Sequence, residues 1–157
     1  MHKKVKVASI EDLDFIYDAL REDLEEQGVL HRFKYSKEEF EKTIFGEKPP
    51  GTFLILLMNG QAAGFANYSI DHRNFTANCF KNLYINDLFI KIEFRRMWGA
   101  TYLLDQLQEI AQQENCGCIE WVVLAENTNA LNFYKKFDKS KIISDKLHYM
   151  RLELNQL

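Results

Sequence analysis

Proline is almost missing from this 157-residue chain: the only two, Pro49 and Pro50, are adjacent. The seven glycines are scattered, and no stretch is rich enough in Gly, Ser or Pro to act as a linker. No internal repeat is visible. The three cysteines, Cys79, Cys116 and Cys118, are an odd number. No apolar segment follows the basic start Met1-His2-Lys3-Lys4 as a secretory signal requires, so a reducing, cytoplasmic setting is expected. Cys116-Gly-Cys118 lacks the two-residue spacer of redox and zinc motifs and reads as two thiols at a helix-to-strand turn. The longest aliphatic run, residues 54–58, is far short of the roughly 20 residues that span a bilayer. The net charge of −3 gives no reason to expect nucleic acid, which favours a strongly basic face. What remains, with 46% hydrophobic residues, suffices for one core. A single domain over residues 1–157 is expected, with neither membrane nor nucleic acid as partner.

Residues 4–8 alternate polar and apolar, as a half-buried strand does. Ser9 and Asp12 form an imperfect capping box before a helix whose apolar residues Leu13, Ile16, Tyr17, Leu20 and Leu24 recur at helical spacing to about residue 26. Gly28 ends it. Ser36 and Glu39 form a better box and open a second helix toward Phe45. Residues 53–58 read as a strand, Asn59-Gly60 as a two-residue hairpin turn, and residues 62–70 as the returning strand. A polar loop at 71–78 leads to a strand at 83–90. Residues 98–114 read as a long amphipathic helix with Tyr102, Leu103, Leu107, Ile110 and Ala111 on one face. A strand at 119–124, apolar enough to be buried on both faces, comes next. A helix at 129–137 has Asn127 or Thr128 near its start, and one or two strands close the chain at 142–154. The strand–helix–strand at 83–124 predicts a parallel crossover and the hairpin an antiparallel pair. The fold class is therefore α/β, a mixed sheet with helices on it.

Chemistry concentrates at the end of the 83–90 strand. There Arg95-Arg96-Met97-Trp98-Gly99-Ala100-Thr101 leads into a helix N-terminus, whose free N–H groups and partial positive charge bind anions such as pyrophosphate. Arg95-x-x-Trp98-x-Ala100 falls on the R/Q-x-x-G-x-G/A cradle of the GNAT superfamily of acyl-CoA N-acyltransferases, and the chain resembles that family over almost its whole length. Within it, Gly64-Phe65-Ala66-Asn67-Tyr68, the Asn86-Asp87-Leu88-Phe89-Ile90 strand and the block from Ala125 to Lys136 resemble the diamine (spermidine/spermine) N-acetyltransferase branch. That last block carries Asn127 and Tyr134. Alone, Asn127 reads as a helix cap and Tyr134 as a core aromatic. Together, seven residues apart after a buried strand, they read as functional.

The resemblance implies the GNAT fold, with helices on both faces of a mixed sheet, acetyl-CoA as cosubstrate, no metal, a primary amine of a small molecule as acceptor, and a homodimer. It implies that acetyl-CoA lies between the strands at 83–90 and 119–124. Backbone groups near Phe89 and Ile90 would hold the pantetheine and thioester, and residues 95–101 the phosphates. Asn127 would hold the cofactor arm, and Tyr134 would protonate the departing thiolate. Direct attack by the amine needs no enzyme nucleophile, in keeping with the absence of a Ser or Cys nucleophile motif.

The chain departs from the family pattern at three points. Arg96 and Trp98 stand where the family usually has glycine, which removes the freedom to adopt positive φ. A frame one residue on, Arg96-x-x-Gly99-x-Thr101, restores one glycine and loses the final small residue. Asn86 stands where the diamine branch has a glutamate acting as base, and Asn accepts no proton near neutral pH. Asp87 is retained, but strand alternation sends it to the opposite face. Asp138 stands where the helix usually ends in glycine. For substrate contacts, Glu26, in the acidic cluster Glu22, Asp23, Glu25 and Glu26, and Asp87 are the candidates. The cluster otherwise reads as a solvated helix face. His31, His72 and His148 read as surface or core residues rather than bases; of the candidates, His148 and Tyr149 on the closing strand are the ones best suited to line an acceptor site. The leading expectation is an N-acetyltransferase for a polyamine, diamine or amino-acid-like amine. The competing one is a degenerate GNAT-fold protein that binds acyl-CoA or a protein partner without catalysis. A nucleotide-binding module is disfavoured because no glycine-rich fingerprint follows any strand.

Overall fold

The computed structural model describes residues 1–73, 75–78, 80–137, 140–144 and 150–152. Their contacts divide into two compact units, Met1–Trp121 and Val122–Leu157. The first unit holds a five-stranded sheet in the order β1 (Lys3–Val7), β2 (Thr52–Met58), β3 (Gln61–Asp71), β4 (Lys81–Ile90), β5 (Cys116–Glu120). Strands β1 to β4 are antiparallel to their neighbours and β5 runs parallel to β4. This is the expected α/β mixed sheet.

Local chemistry explains the helices. A 3₁₀ turn at Ile10–Asp12 leads into α1 (Leu13–Glu26), where Ser9 N donates to Asp12 Oδ2 at 2.8 Å. The box at Ser36 is reciprocal: Ser36 N donates to Glu39 Oε2 (2.8 Å) and Glu39 N to Ser36 Oγ (3.2 Å), which starts α2 (Lys37–Ile44). The β2–β3 hairpin turns at Asn59 (φ 50°) and Gly60 (φ 84°), the left-handed pair that a two-residue turn demands. A four-residue helix, α3 (Phe75–Asn78), interrupts the expected polar loop. The long crossover helix is α4 (Gly99–Gln113).

Alternation along β2 sorts the core into two layers. Phe53 and Ile55 face α1 and α2, where they pack with Ile16, Leu20, Phe40, Ile44, Phe65 and Phe89. The rings of Phe40, Phe53, Phe65 and Phe89 follow one another at centroid spacings of 6.1, 5.7 and 6.1 Å. Leu54, Leu56 and Met58 face the other way. A Cβ on Gly99, at the start of α4, would lie 2.9 Å from Leu56 Cδ2 and 3.6 Å from Met58 Sδ, so α4 covers this second face. Helices therefore lie on both faces, as expected.

Two strand expectations need correction. Asn115, at φ 56°, turns the chain straight out of α4. As a result β5 is Cys116–Glu120 rather than residues 119–124, is half-buried rather than buried on both faces, and leaves Val122 71% exposed. The two thiols therefore lie on the strand, not at a turn before it. The closing strand expected at 142–154 is absent from the described residues 142–144 and 150–152, and the rest of it lies outside the described residues. The second unit holds α5 (Thr128–Tyr134). No helix among the described residues is long and apolar enough to cross a membrane.

Candidate active site

The site begins with an irregularity in β4. Asn67 of β3 pairs with Asp87, but its neighbour Tyr68 pairs with Ile85, so Asn86 is an extra residue, a β-bulge. The bulge overrides strict alternation. Asn86 Nδ2 lies 3.4 Å from Ser69 Oγ, while Asn67 Nδ2 donates to Asp87 Oδ2 at 3.2 Å. Asn67 and Ser69 are two apart on one strand and share a face. Asn86 and Asp87 consequently project to that same face, which corrects the expectation that Asp87 points away. It is also the face of Phe65 and Phe89, which α1 covers. Burial raises the Asp87 carboxyl above the usual range, partly opposed by the Asn67 hydrogen bond.

Helix α1 brings a second carboxylate to this face. Asp23 is only 8% exposed. Its pKa is raised to about 6, first by burial and then by the negative charges of Asp87 and Glu26; a hydrogen bond from Gln27 and the charge of Arg95 act the other way. By sequence the cluster reads as a solvated helix face, whereas the fold buries Asp23. A signal was present: Asp23 follows Leu20 by three and Ile16 by seven, in the apolar stripe of the helix. Asn67 was missed too. Its Oδ1 is buried and has no hydrogen-bond partner among the described residues. A Cβ on Gly51 would come within 2.5 Å of it.

Arg95 and Glu26, predicted to bind cofactor and substrate respectively, meet each other. Arg95 Nη2 lies 2.7 Å from both Glu26 carboxylate oxygens, and Arg95 Nε donates to Ile90 O at 2.8 Å. The guanidinium also sits 5.5 Å from the Phe89 ring centroid. Its hydrogen bonds are directed at the protein itself. The next positions keep a glycine-like backbone without glycine: Arg96 has φ 62° and Trp98 φ 65°. Trp98 is the N-cap of α4 and is 75% exposed, so its indole projects away from the backbone it terminates. Met97 is 36% exposed. Tyr102 N is the first to bond back into the helix, to Trp98 O at 3.1 Å, and no side chain caps the end. The amides of Gly99, Ala100 and Thr101 therefore have no acceptor within the helix.

Phe89 and Ile90 differ in what they offer. Lys91 N donates to Ala63 O of β3 at 2.9 Å. In an antiparallel ladder alternate residues turn their amides the same way, so Phe89 and Asp87 also address β3, while Leu88 and Ile90 address the opposite edge. The β4–β5 ladder ends at the pair Tyr84 and Glu120. The Leu88 and Ile90 amides thus lie on a stretch of β4 beyond that ladder, and the Ile90 carbonyl is already taken by Arg95.

In the second unit, Asn127 is the N-cap of α5, its Oδ1 accepting from Ala130 N at 3.1 Å. Tyr134 is the last residue of that helix, its ring 5.1 Å from that of Phe133. Asp138, His148 and Tyr149 lie outside the described residues. Burial, then the charge of Glu120, raises the Cys118 thiol to about 11, and Cys118 Sγ contacts Asn82 Oδ1 at 3.1 Å. A raised pKa keeps that thiol protonated near neutral pH.

At the start of α4 a left-handed backbone turn thus leaves three amides without an acceptor in the helix, just beyond the bulged strand β4. The model of the acetyltransferase (GNAT) family matches residues 13–138. The chain belongs to the GNAT acetyltransferase family. Among its relatives, the thialysine N-epsilon-acetyltransferase of Mus musculus is 25% identical over 137 residues, covering 84% of this chain and 81% of that protein. The L-ornithine N5-acetyltransferase NATA1 of Arabidopsis thaliana is 32% identical over 74 residues, 47% of this chain and 32% of that protein. Among solved structures, AAC(6')-Iy in complex with the bisubstrate analogue CoA-S-monomethyl-acetylneamine aligns with a TM-score of 0.71 at 16% identity, over 98% of this chain and all of that one. This likeness shows the GNAT fold.

Proposed function

We propose that this GNAT protein moves the acetyl group of acetyl-CoA to the primary amine of a small molecule, an amino-acid side chain, diamine or polyamine. The observation that carries this reading is the left-handed backbone at Arg96 and Trp98. Both residues stand where the family usually has glycine, yet the backbone keeps the conformation glycine serves. The amides of Gly99, Ala100 and Thr101 stay open to a pyrophosphate, and Arg96 adds charge beside them. The names of the thialysine and ornithine acetyltransferases support a side-chain amine as acceptor.

Acetyl-CoA, when bound, supplies an activated thioester carbonyl. The Ile90 amide, on the open stretch of β4, donates to that carbonyl oxygen as negative charge develops on it. The amine nitrogen attacks the carbonyl carbon, the C–N bond forms and the C–S bond breaks. Tyr134 gives its phenolic proton to the leaving thiolate and regains one from the nitrogen, directly or through solvent. Asn127 steadies the cofactor arm, and Asn86 holds the amine by hydrogen bonding. A homodimer acting in the cytoplasm completes the reading, and sedimentation equilibrium tests the dimer.

Calorimetric titration with acetyl-CoA is the primary test. Binding in the micromolar range is expected, and no heat at millimolar ligand removes the enzyme reading. An amine panel with detection of released thiol then tests transfer. One set of observations favours a second reading, non-catalytic acyl-CoA binding: Asn127 is used as a cap, Arg95 is used on Glu26, and Asn86 is no base. Acetyl-CoA binding without thiol release from any amine would select it.

A further inference from the structure

The loop that enters α4 is pinned at both ends. At its start, Arg95 spends its hydrogen bonds on the protein: Nη2 lies 2.7 Å from both Glu26 carboxylate oxygens, and Nε donates to the Ile90 carbonyl at 2.8 Å. At its end, Gly99 is buried against β2, where a Cβ would lie 2.9 Å from Leu56 Cδ2. Between these anchors Arg96, Met97 and Trp98 are exposed, the indole most of all. Among the described residues neither of the two left-handed side chains finds a partner. Arg96 has no ion pair or hydrogen bond, and the Trp98 ring has no stacking or cation contact. A tryptophan in the left-handed region costs strain, and here no packing offsets it. A free guanidinium and a free indole therefore stand immediately before the amides of Gly99, Ala100 and Thr101, which have no acceptor in the helix. Open amides, a fixed cation and an aromatic surface suit three different parts of one ligand class, a purine nucleotide with phosphate groups at more than one position.

We propose, building on the acetyltransferase reading, that Trp98 and Arg96 clamp the nucleotide end of coenzyme A, the indole stacking on the adenine and the guanidinium pairing with the 3′-phosphate of the ribose. The pyrophosphate lies on the three amides, which leaves the 3′-phosphate as the anion still in need of a cation. Arg95, turned inward to Glu26, is a strut and binds no phosphate. The charge available to the ligand has moved one residue along the loop. At position 98 a glycine would offer backbone alone; the tryptophan adds a flat surface on which a base can lie. Stacking of a base on an exposed aromatic side chain is worth about tenfold in affinity or more. A guanidinium–phosphate pair, being charge-assisted, adds a contribution of its own. The clamp makes the nucleotide a requirement for tight binding, so acyl groups carried on a bare pantetheine arm are poor donors.

The test reads binding alone, on the full chain. Acetyl-CoA, acetyl-dephospho-CoA (which lacks the 3′-phosphate) and adenosine 3′,5′-bisphosphate are titrated by calorimetry into wild type, Arg95→Ala, Arg96→Ala, Trp98→Ala and Trp98→Phe. Tryptophan emission is followed in parallel, since the chain has two tryptophans, Trp98 and Trp121. Circular dichroism checks that each variant is folded. Wild type should bind the bisphosphate with quenched emission, and should bind acetyl-CoA about tenfold or more tighter than its dephospho form. Trp98→Ala should remove most of the quenching and weaken acetyl-CoA by about tenfold, and Trp98→Phe, which keeps a ring, should recover most of the affinity. Arg96→Ala should erase the preference for the 3′-phosphate, and Arg95→Ala should keep it. Folded Trp98→Ala that binds acetyl-CoA within twofold of wild type overturns the clamp and leaves the acetyltransferase reading intact. So does a 3′-phosphate preference that survives Arg96→Ala. Wild-type protein that binds no acetyl-CoA at millimolar ligand overturns the acetyltransferase reading itself, and the clamp with it.

Discussion

Glu26 and Arg95, 69 residues apart in the chain, meet so that one guanidinium nitrogen lies 2.7 Å from each carboxylate oxygen. The contact ties the end of α1 to the segment that leaves β4. Both side chains are more than one-third exposed, so the ion pair itself contributes little, up to about 1 kcal/mol. Glu26→Gln should therefore cost no more than that in urea unfolding, and less at high salt. Arg95→Ala should cost roughly 1–2 kcal/mol, because it also strips the Ile90 carbonyl of its 2.8 Å partner and the Phe89 ring of its cover. Equal losses for the two variants would show that the carbonyl and ring contacts contribute nothing.

The loop before α4 holds two non-glycine residues in the left-handed region, a strain of roughly 1 kcal/mol each. Replacing Arg96 or Trp98 by glycine removes that strain but loosens the unfolded chain, and the net change should lie near zero or on the stabilising side. Gly99→Ala should do the opposite. Its new Cβ would sit 2.9 Å from Leu56 Cδ2, between α4 and the sheet, for a loss of roughly 1–3 kcal/mol. Denaturant midpoints of the three variants check the contrast. A clearly destabilised Trp98→Gly would mean that the indole, although exposed, packs on something that matters.

The raised pKa of Asp23 makes a prediction about stability with a definite sign. Its folded value of about 6 lies above the ordinary 3.8, so the unfolded chain releases this proton first as pH rises. Stability contributed by this group is greatest below pH 4 and declines from there to about pH 6. At pH 7 the penalty amounts to roughly 2–3 kcal/mol. Asp23→Asn should raise the melting temperature at pH 7 and make no difference near pH 4. Melting curves at the two pH values decide the matter, and an Asp23→Asn protein less stable at pH 7 would contradict it.

If Tyr134 donates the proton to the thiolate, Tyr134→Phe should lower kcat by about 10²-fold or more while acetyl-CoA binds nearly as before. Turnover equal to wild type would remove Tyr134 from the chemistry. Retained binding with lost turnover is the signature sought, because the phenyl ring keeps the contact with Phe133.

Much of the fold was legible because short-range chemistry wrote it. The Ser36–Glu39 box, the Asn59-Gly60 turn and the apolar stripe of α4 each depend on residues within a few positions of one another, and each formed where expected. The boundaries of β5 were less legible. They follow from the left-handed turn at Asn115 and from pairing with Lys81–Tyr84, some 35 residues earlier, and apolar content alone pointed three residues too far on at the start and four at the end.

The candidate site divides in the same way. The sequence by itself determined which residues are the candidates at the end of β4, since the Arg95 to Thr101 segment and the Asn86-Asp87 pair are contiguous motifs. It also determined that Asn86 is no base. Tertiary structure alone decided which way those residues point and what they meet. The bulge that turns Asp87 onto the face of Asn86 exists only in the register between β3 and β4, so strict alternation within one strand gave the wrong face. Asp23 looked like one acid among four on a solvated helix until α1 packed on the sheet and took water from it. Burial and proximity, which shift a carboxylate's proton affinity, are properties of the packed chain, and no single segment of sequence contains them.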